Sequence, residues 1–174
     1  MATTQLAEHL TAARKAPSPN VKTALRLCDA WISYSDETLK TAMDECVADS
    51  FVWNALPESL STPGWNQLNK AAFIEAFRTA WWAAIKGMQL IVTDLVESEN
   101  NVILYTKFGP GVVSVEGKPV ATSHVHGFRF NADGKVVEQN DFLDTKWMTD
   151  FWGSEPQKTI VATGGNSVAA GGNR

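Results

Sequence analysis

Gly87 divides this chain into two regimes of apolar spacing. Upstream, apolar residues recur at the three-to-four-residue interval of a helix. Asn20 is placed to cap a helix from Val21 to about Ser33, with Leu25, Cys28, Trp31 and Ile32 along one face. "SYSD" interrupts that pattern. Ser35 or Asp36, with Asp36 preferred, then caps a second helix through Leu39, Met43 and Cys46. "SFVWNAL" reads as a short strand and "PESLSTPGWNQLN" as a loop. A third helix follows from Lys70 to Lys86 and stops at Gly87.

Downstream, the period becomes extended. "MQLIVTDLVES", "NVILYTKF", "GVVSV", "PVATSHVHGFRF" and "KVVEQNDFLDTKW" read as strands, separated by the turns "ENN", "GPG", "EGK" and "NADG". Helices followed by strands joined through short turns specify an α+β domain rather than a parallel α/β sheet. Val102, Leu104, Thr106 and Phe108 share one strand face, and Ile103, Tyr105 and Lys107 the other, so both faces carry material to bury. The expected architecture is a cone-shaped, curved antiparallel (mixed) sheet wrapped around three N-terminal helices, with a cavity between the layers. Residues 1–20 are expected as an N-terminal extension, with a short amphipathic helix near Gln5–Lys15. Residues 21–152 form the domain, and the Gly-rich residues 153–174 a flexible tail.

Composition narrows the function classes. The chain has 174 residues, 44% of them hydrophobic, which supports one domain with a real core. Its net charge of −4, with no basic stripe, argues against nucleic acid or an anionic membrane as partner. Cys28 and Cys46 fall at apolar helix positions and read as buried free thiols. The opening "MATTQLAEHLTAARK" has no signal-peptide core and no segment approaches a membrane span, so a cytoplasmic protein is expected. No phosphate-cradling Gly loop is present, and "HVH" has no third ligand at metal-site spacing, so neither cofactor nor metal is expected.

The chemistry-bearing stretch is "TSHVHGFRFNADGKVVEQNDFLDTKW". His124 and His126 point to one side of their strand, in register with Phe128. Turned inward they are general acid–base candidates; turned outward they are surface imidazoles. A turn centred near Ala132–Asp133 brings either Asn140 or Asp141 opposite His126, and a one-residue slip inverts the facing. Glu138 is placed to bridge to Lys107 or Arg129, and Asp144 to serve as a cap or a dimer contact. Seven tryptophans and eight phenylalanines are enough to line a pocket for a flat organic ligand as well as to fill a core. Tyr34, Trp53, Trp65, Trp81, Tyr105, Phe128 and Asn140 are the candidate substrate-binding residues, with either tyrosine able to donate to a developing enolate. Trp81 and Trp82 are neighbours on one helix and cannot face the same way.

The segment "GFRFNADGKVVEQNDFLDT" resembles the closing hairpin of SnoaL-like proteins, within the nuclear-transport-factor-2-like superfamily. The likeness rests on Phe128–Arg129–Phe130, Asp133–Gly134–Lys135, Val137–Glu138, Asp141 and Asp144, and extends more weakly over 21–152. It implies a cone-shaped, commonly dimeric α+β barrel that performs cofactor-independent acid–base chemistry on a small organic molecule. Polyketide cyclases, scytalone dehydratase, steroid isomerases, epoxide hydrolases and fungal natural-product isomerases belong to it, alongside members that only bind. By this resemblance Asp141 takes the place of a general base, with His126 across the hairpin, and His124–His126 match a pair of strand histidines. Tyr34 occupies the region of a catalytic tyrosine. The expected activity is isomerisation, cyclisation or dehydration of an apolar natural-product intermediate. A non-catalytic binding or dimerisation module and an epoxide hydrolase are the alternatives.

Overall fold

Ser18 and Pro19 start the first helix. The Ser18 hydroxyl accepts from Val21 N at 3.1 Å, and Pro19 takes the first-turn position where its missing N–H costs nothing. In the computed structural model, which describes residues 4–6, 10, 17–58 and 66–154, α1 (Pro19–Trp31) therefore begins two residues before the expected start at Val21. Ser35, not Asp36, caps α2 (Asp36–Cys46), accepting from Thr38 N at 3.2 Å; Asp36 pairs with Arg78 instead. Asn69 caps α3 (Lys70–Ala76) through Ala72 N at 3.0 Å. That helix continues as a π-helical segment (Phe77–Trp81) and one last α turn, α4 (Trp82–Ala84).

The third helix thus ends before the expected Lys86, because Ile85–Lys86 leave it as strand β4 and pair with β7 (Val113–Ser114). Among the described residues the main sheet has seven strands in the order β1-β5-β6-β8-β9-β2-β3. They are β1 (Gln5–Leu6), β2 (Val47–Leu56), β3 (Asn66–Leu68), β5 (Leu90–Ser98), β6 (Asn101–Phe108), β8 (Ser123–Phe130) and β9 (Val136–Leu143). The sheet is mixed. The hairpins β5–β6 and β8–β9 and the β6–β8 pair are antiparallel, whereas β1 lies parallel to β5 and β2 parallel to β9. Gln5–Leu6 is therefore strand where a helix was expected; the rest of the expected helix, apart from Leu10, lies outside the described residues.

Residues 145–147, read as strand, instead open helix α5 (Thr145–Ser154), because Asp144 caps it by accepting from Trp147 N at 2.9 Å. The tail from 155 onward lies outside the described residues. Val102, Leu104, Thr106 and Phe108 are buried on the concave face, against Trp31, Phe51, Phe73 and Phe128 of the common core. Cys28 and Cys46 are both buried. No helix among the described residues is long and apolar enough to cross a membrane.

Candidate active site

The β8–β9 hairpin sets the site. Phe130 pairs with Val136, but Arg129 pairs with Glu138, so Val137 is an extra residue, a bulge, on the return strand. Phe130 and Val136 are both buried on the concave face. With strict alternation from Val136, Glu138, Asn140 and Phe142 would also point inward. The extra residue inverts that parity and pairs Asp141 with His126. His124, His126, Gln139 and Asp141 are consequently buried on the concave side, while Phe142 is 52% exposed on the other.

His126 Nδ1 lies 2.8 Å from Asp141 Oδ1. Trp53 Nε1 donates to Asp141 Oδ2 at 2.6 Å, and Gln139 Nε2 donates to both carboxylate oxygens at 3.0 and 2.9 Å. Four contacts fill the roughly four acceptor positions of an ionised carboxylate. Burial pushes the Asp141 carboxyl up, but the charge of His126 and hydrogen bonds from His126, Trp53 and Gln139 overcome it and hold the group below its ordinary 3.8. An ionised Asp141 requires Nδ1 of His126 to carry the proton between them. Nε2 of a neutral His126 is then a bare acceptor, and it is buried with no hydrogen-bond partner among the described residues.

His124 sits beside it, ring centroids 5.8 Å apart. Burial and the neighbouring His126 push its pKa down to about 3, so it is neutral at physiological pH. Its Nε2 is likewise buried without a partner. Both histidines and Asp141 line one cavity that is partly open to solvent. Trp31, Trp53, Phe77, Trp81, Met88, Leu90, Phe108 and Leu143 complete its wall. Phe77 and Trp81 bracket the π-helical segment, whose wider turn brings both onto the cavity. Helix α5 packs beside the site, with Trp147 near His124 and Trp152 edge-on to Trp81.

Several expected wall residues lie elsewhere. Tyr34 has φ of 53° at the break after α1; its hydroxyl donates to Ile85 O at 2.6 Å and accepts from Met88 N at 3.2 Å, and its ring stacks on Trp82. Its hydroxyl is thus tied to backbone rather than aimed into the cavity. Tyr105 is 40% exposed on the convex face, because its strand neighbours Leu104 and Thr106 take the inward positions. Asn140 also lies outward, bonded to Asn54 and Glu138, while Glu138 pairs with Arg129 at 2.8 Å. Phe128 is buried under Trp31 as core rather than wall. Trp65 lies outside the described residues. Trp31, Gln139 and Phe77 were not foreseen: a Trp at a helix end and a Gln in a strand carry no signal until the fold sets them round Asp141 and His126. Among the described residues no group of three or more His, Cys, Asp and Glu converges to hold a metal.

No family model matches the chain, nor does any curated protein. Solved structures do. An NTF2-like protein of unknown function from Burkholderia pseudomallei superposes with a TM-score of 0.60 at 21% identity, over 77% of this chain and 97% of that one. The fold is nuclear-transport-factor-2-like. A candidate SnoaL-like polyketide cyclase from Jannaschia sp. CCS1 matches at TM-score 0.60 and 21% identity, over 79% of this chain and 94% of that one. BvnE pinacolase from Penicillium brevicompactum matches at 0.63 and 16%, over 78% and 92%. The NTF2-like fold expected from the closing hairpin is thereby borne out, and one solved protein of that fold is named as a pinacolase.

Proposed function

We propose that this protein is a cofactor-independent acid–base enzyme acting on a small apolar organic molecule, by isomerisation, cyclisation or dehydration. The observation that supports it is His126 Nε2, unpartnered in an apolar cavity while Nδ1 is held by Asp141. Imidazole accepts and returns a proton near neutral pH, which is what abstraction next to a carbonyl requires. In this reading His126 is the base. Asp141 is the positioning residue that fixes its tautomer and stabilises the imidazolium formed, since its own oxygens are fully engaged. The aromatic wall excludes water and selects an uncharged ligand.

The test is hydrogen–deuterium exchange at the benzylic α-carbon of 2-tetralone in D₂O, followed by proton NMR. The protein is expected to accelerate the exchange. His126→Ala and Asp141→Asn, checked as folded by circular dichroism, should each slow it by about 100-fold or more. Binding of the ketone without exchange would favour a ligand-binding module, and equal rates in both variants and the parent would overturn the assignment.

A further inference from the structure

Trp31 ends α1 with its side chain in the cavity wall, 2% exposed, and its indole N–H is buried with no hydrogen-bond partner among the described residues. Its ring centroid lies 5.2 Å from that of His126. A buried donor left unsatisfied costs about 1–3 kcal/mol, so a fold keeps one at a site where a ligand supplies the acceptor. Two neighbouring indoles have such partners: Trp53 Nε1 donates to Asp141 and Trp82 Nε1 to Trp31 O at 2.7 Å. Packing holds the Trp31 ring rigidly, stacked on Phe77 and Phe128 and edge-on to Phe73. The donor is therefore preorganised.

We infer that Trp31 is a catalytic residue whose indole N–H donates to the substrate oxygen on which negative charge develops. The inference rests on the acid–base reading of His126. When His126 Nε2 takes the α-proton, the C–H electron pair forms the C=C bond and the carbonyl π pair moves to oxygen. The resulting enolate lies between an imidazolium and the Trp31 N–H. Returning the proton to carbon restores the ketone and the neutral base. Indole donates only, so the cavity sets a fixed donor beside the acceptor of His126, with His124 Nε2 alongside, which suits a neutral carbonyl compound with an acidic α-hydrogen. A fixed donor aimed at developing charge acts on the rate rather than on ground-state affinity.

The decisive variant replaces Trp31 by 3-benzothienylalanine, which keeps the bicyclic ring and exchanges N–H for sulfur. Trp31→Phe serves as a second, genetically simpler variant. For 2-tetralone exchange, kcat should fall at least tenfold with KM changed less than threefold. Affinity for 2-naphthol, a planar enol analogue, should fall about tenfold, while affinity for naphthalene stays within a factor of two. Equal losses for naphthol and naphthalene, or no loss for either, would overturn the inference by showing that the ring only packs. If the parent protein exchanges no proton from 2-tetralone, the acid–base reading fails for that ketone. The naphthol-against-naphthalene comparison then still decides whether Trp31 is a ligand donor.

Discussion

His124 carries a charge-state penalty that grows on acidification. In the native fold its pKa is about 3, against 6.5 for the free side chain, because burial disfavours the imidazolium. Above about pH 6.5 neither state is protonated and nothing is lost. As pH falls toward 3, the unfolded chain gains a proton that the native one refuses, so stability drops by up to about 1.4 kcal/mol per pH unit. Asp141, held below its ordinary value, acts in the same sense over a lower window: its stabilisation is present above the carboxylate range and disappears as pH falls through it. His124→Phe should therefore abolish about 2 kcal/mol of the loss between pH 7.5 and 5.0, read from urea midpoints. Trp53→Phe removes a buried bond to a carboxylate and should cost about 2 kcal/mol, with the Asp141 carboxyl rising in a ¹³C-detected titration. At this scale the sequence narrowed the partner of His126 to Asn140 or Asp141, since two histidines at strand spacing and a polar pair after a turn form a local pattern. It could not reveal Trp31 or Gln139, whose roles depend on an atom left free or aimed by the tertiary fold. Tyr34 and Tyr105 were misassigned for the complementary reason: residue type names a possible donor, but strand parity and backbone direction decide where it points.

Val137 decides the hairpin. One extra residue in β9 turns a strand whose alternation would bury Asn140 into one that buries Asp141. Exchanging the two, as Asn140→Asp with Asp141→Asn, should leave 2-tetralone exchange as slow as Asp141→Asn alone, because the new carboxylate faces outward beside Glu138. Recovery of activity in the exchanged pair would show that the register is free to slip. Strand positions were legible from period and turn residues, and so were the helix faces. Helix ends were less so. Ser18 and Ser35 outcompete Asn20 and Asp36 as caps, and Asp144 converts an apparent strand continuation into α5. Caps depend on backbone direction at one residue, which a pattern spread over a dozen does not report.

Across the whole molecule, the parallel pairing of β2 with β9 joins segments far apart in the chain and had no local signature, whereas the antiparallel hairpins announced themselves through their turns. The convex face bears a row running across four strands, Leu56, Phe142, Val125 and Tyr105, in direct register. That row is proposed as the contact of the homodimer expected from the resemblance, since contiguous exposed apolar surface marks association sites. Phe142→Lys should halve the mass measured by light scattering; a mass equal to the parent's would remove this face from consideration. The bond between Trp53 and Asp141 has a further consequence, in time rather than space. His126 and Asp141 are 15 residues apart and meet when a hairpin closes, but Trp53 is 88 residues from Asp141 and arrives only when the sheet is assembled. Near contacts form before remote ones, because loop closure costs entropy. During refolding the His126–Asp141 pair should thus exist before Trp53 clamps it, and any proton exchange it supports should appear with the docking of β2 rather than with closure of the β8–β9 hairpin.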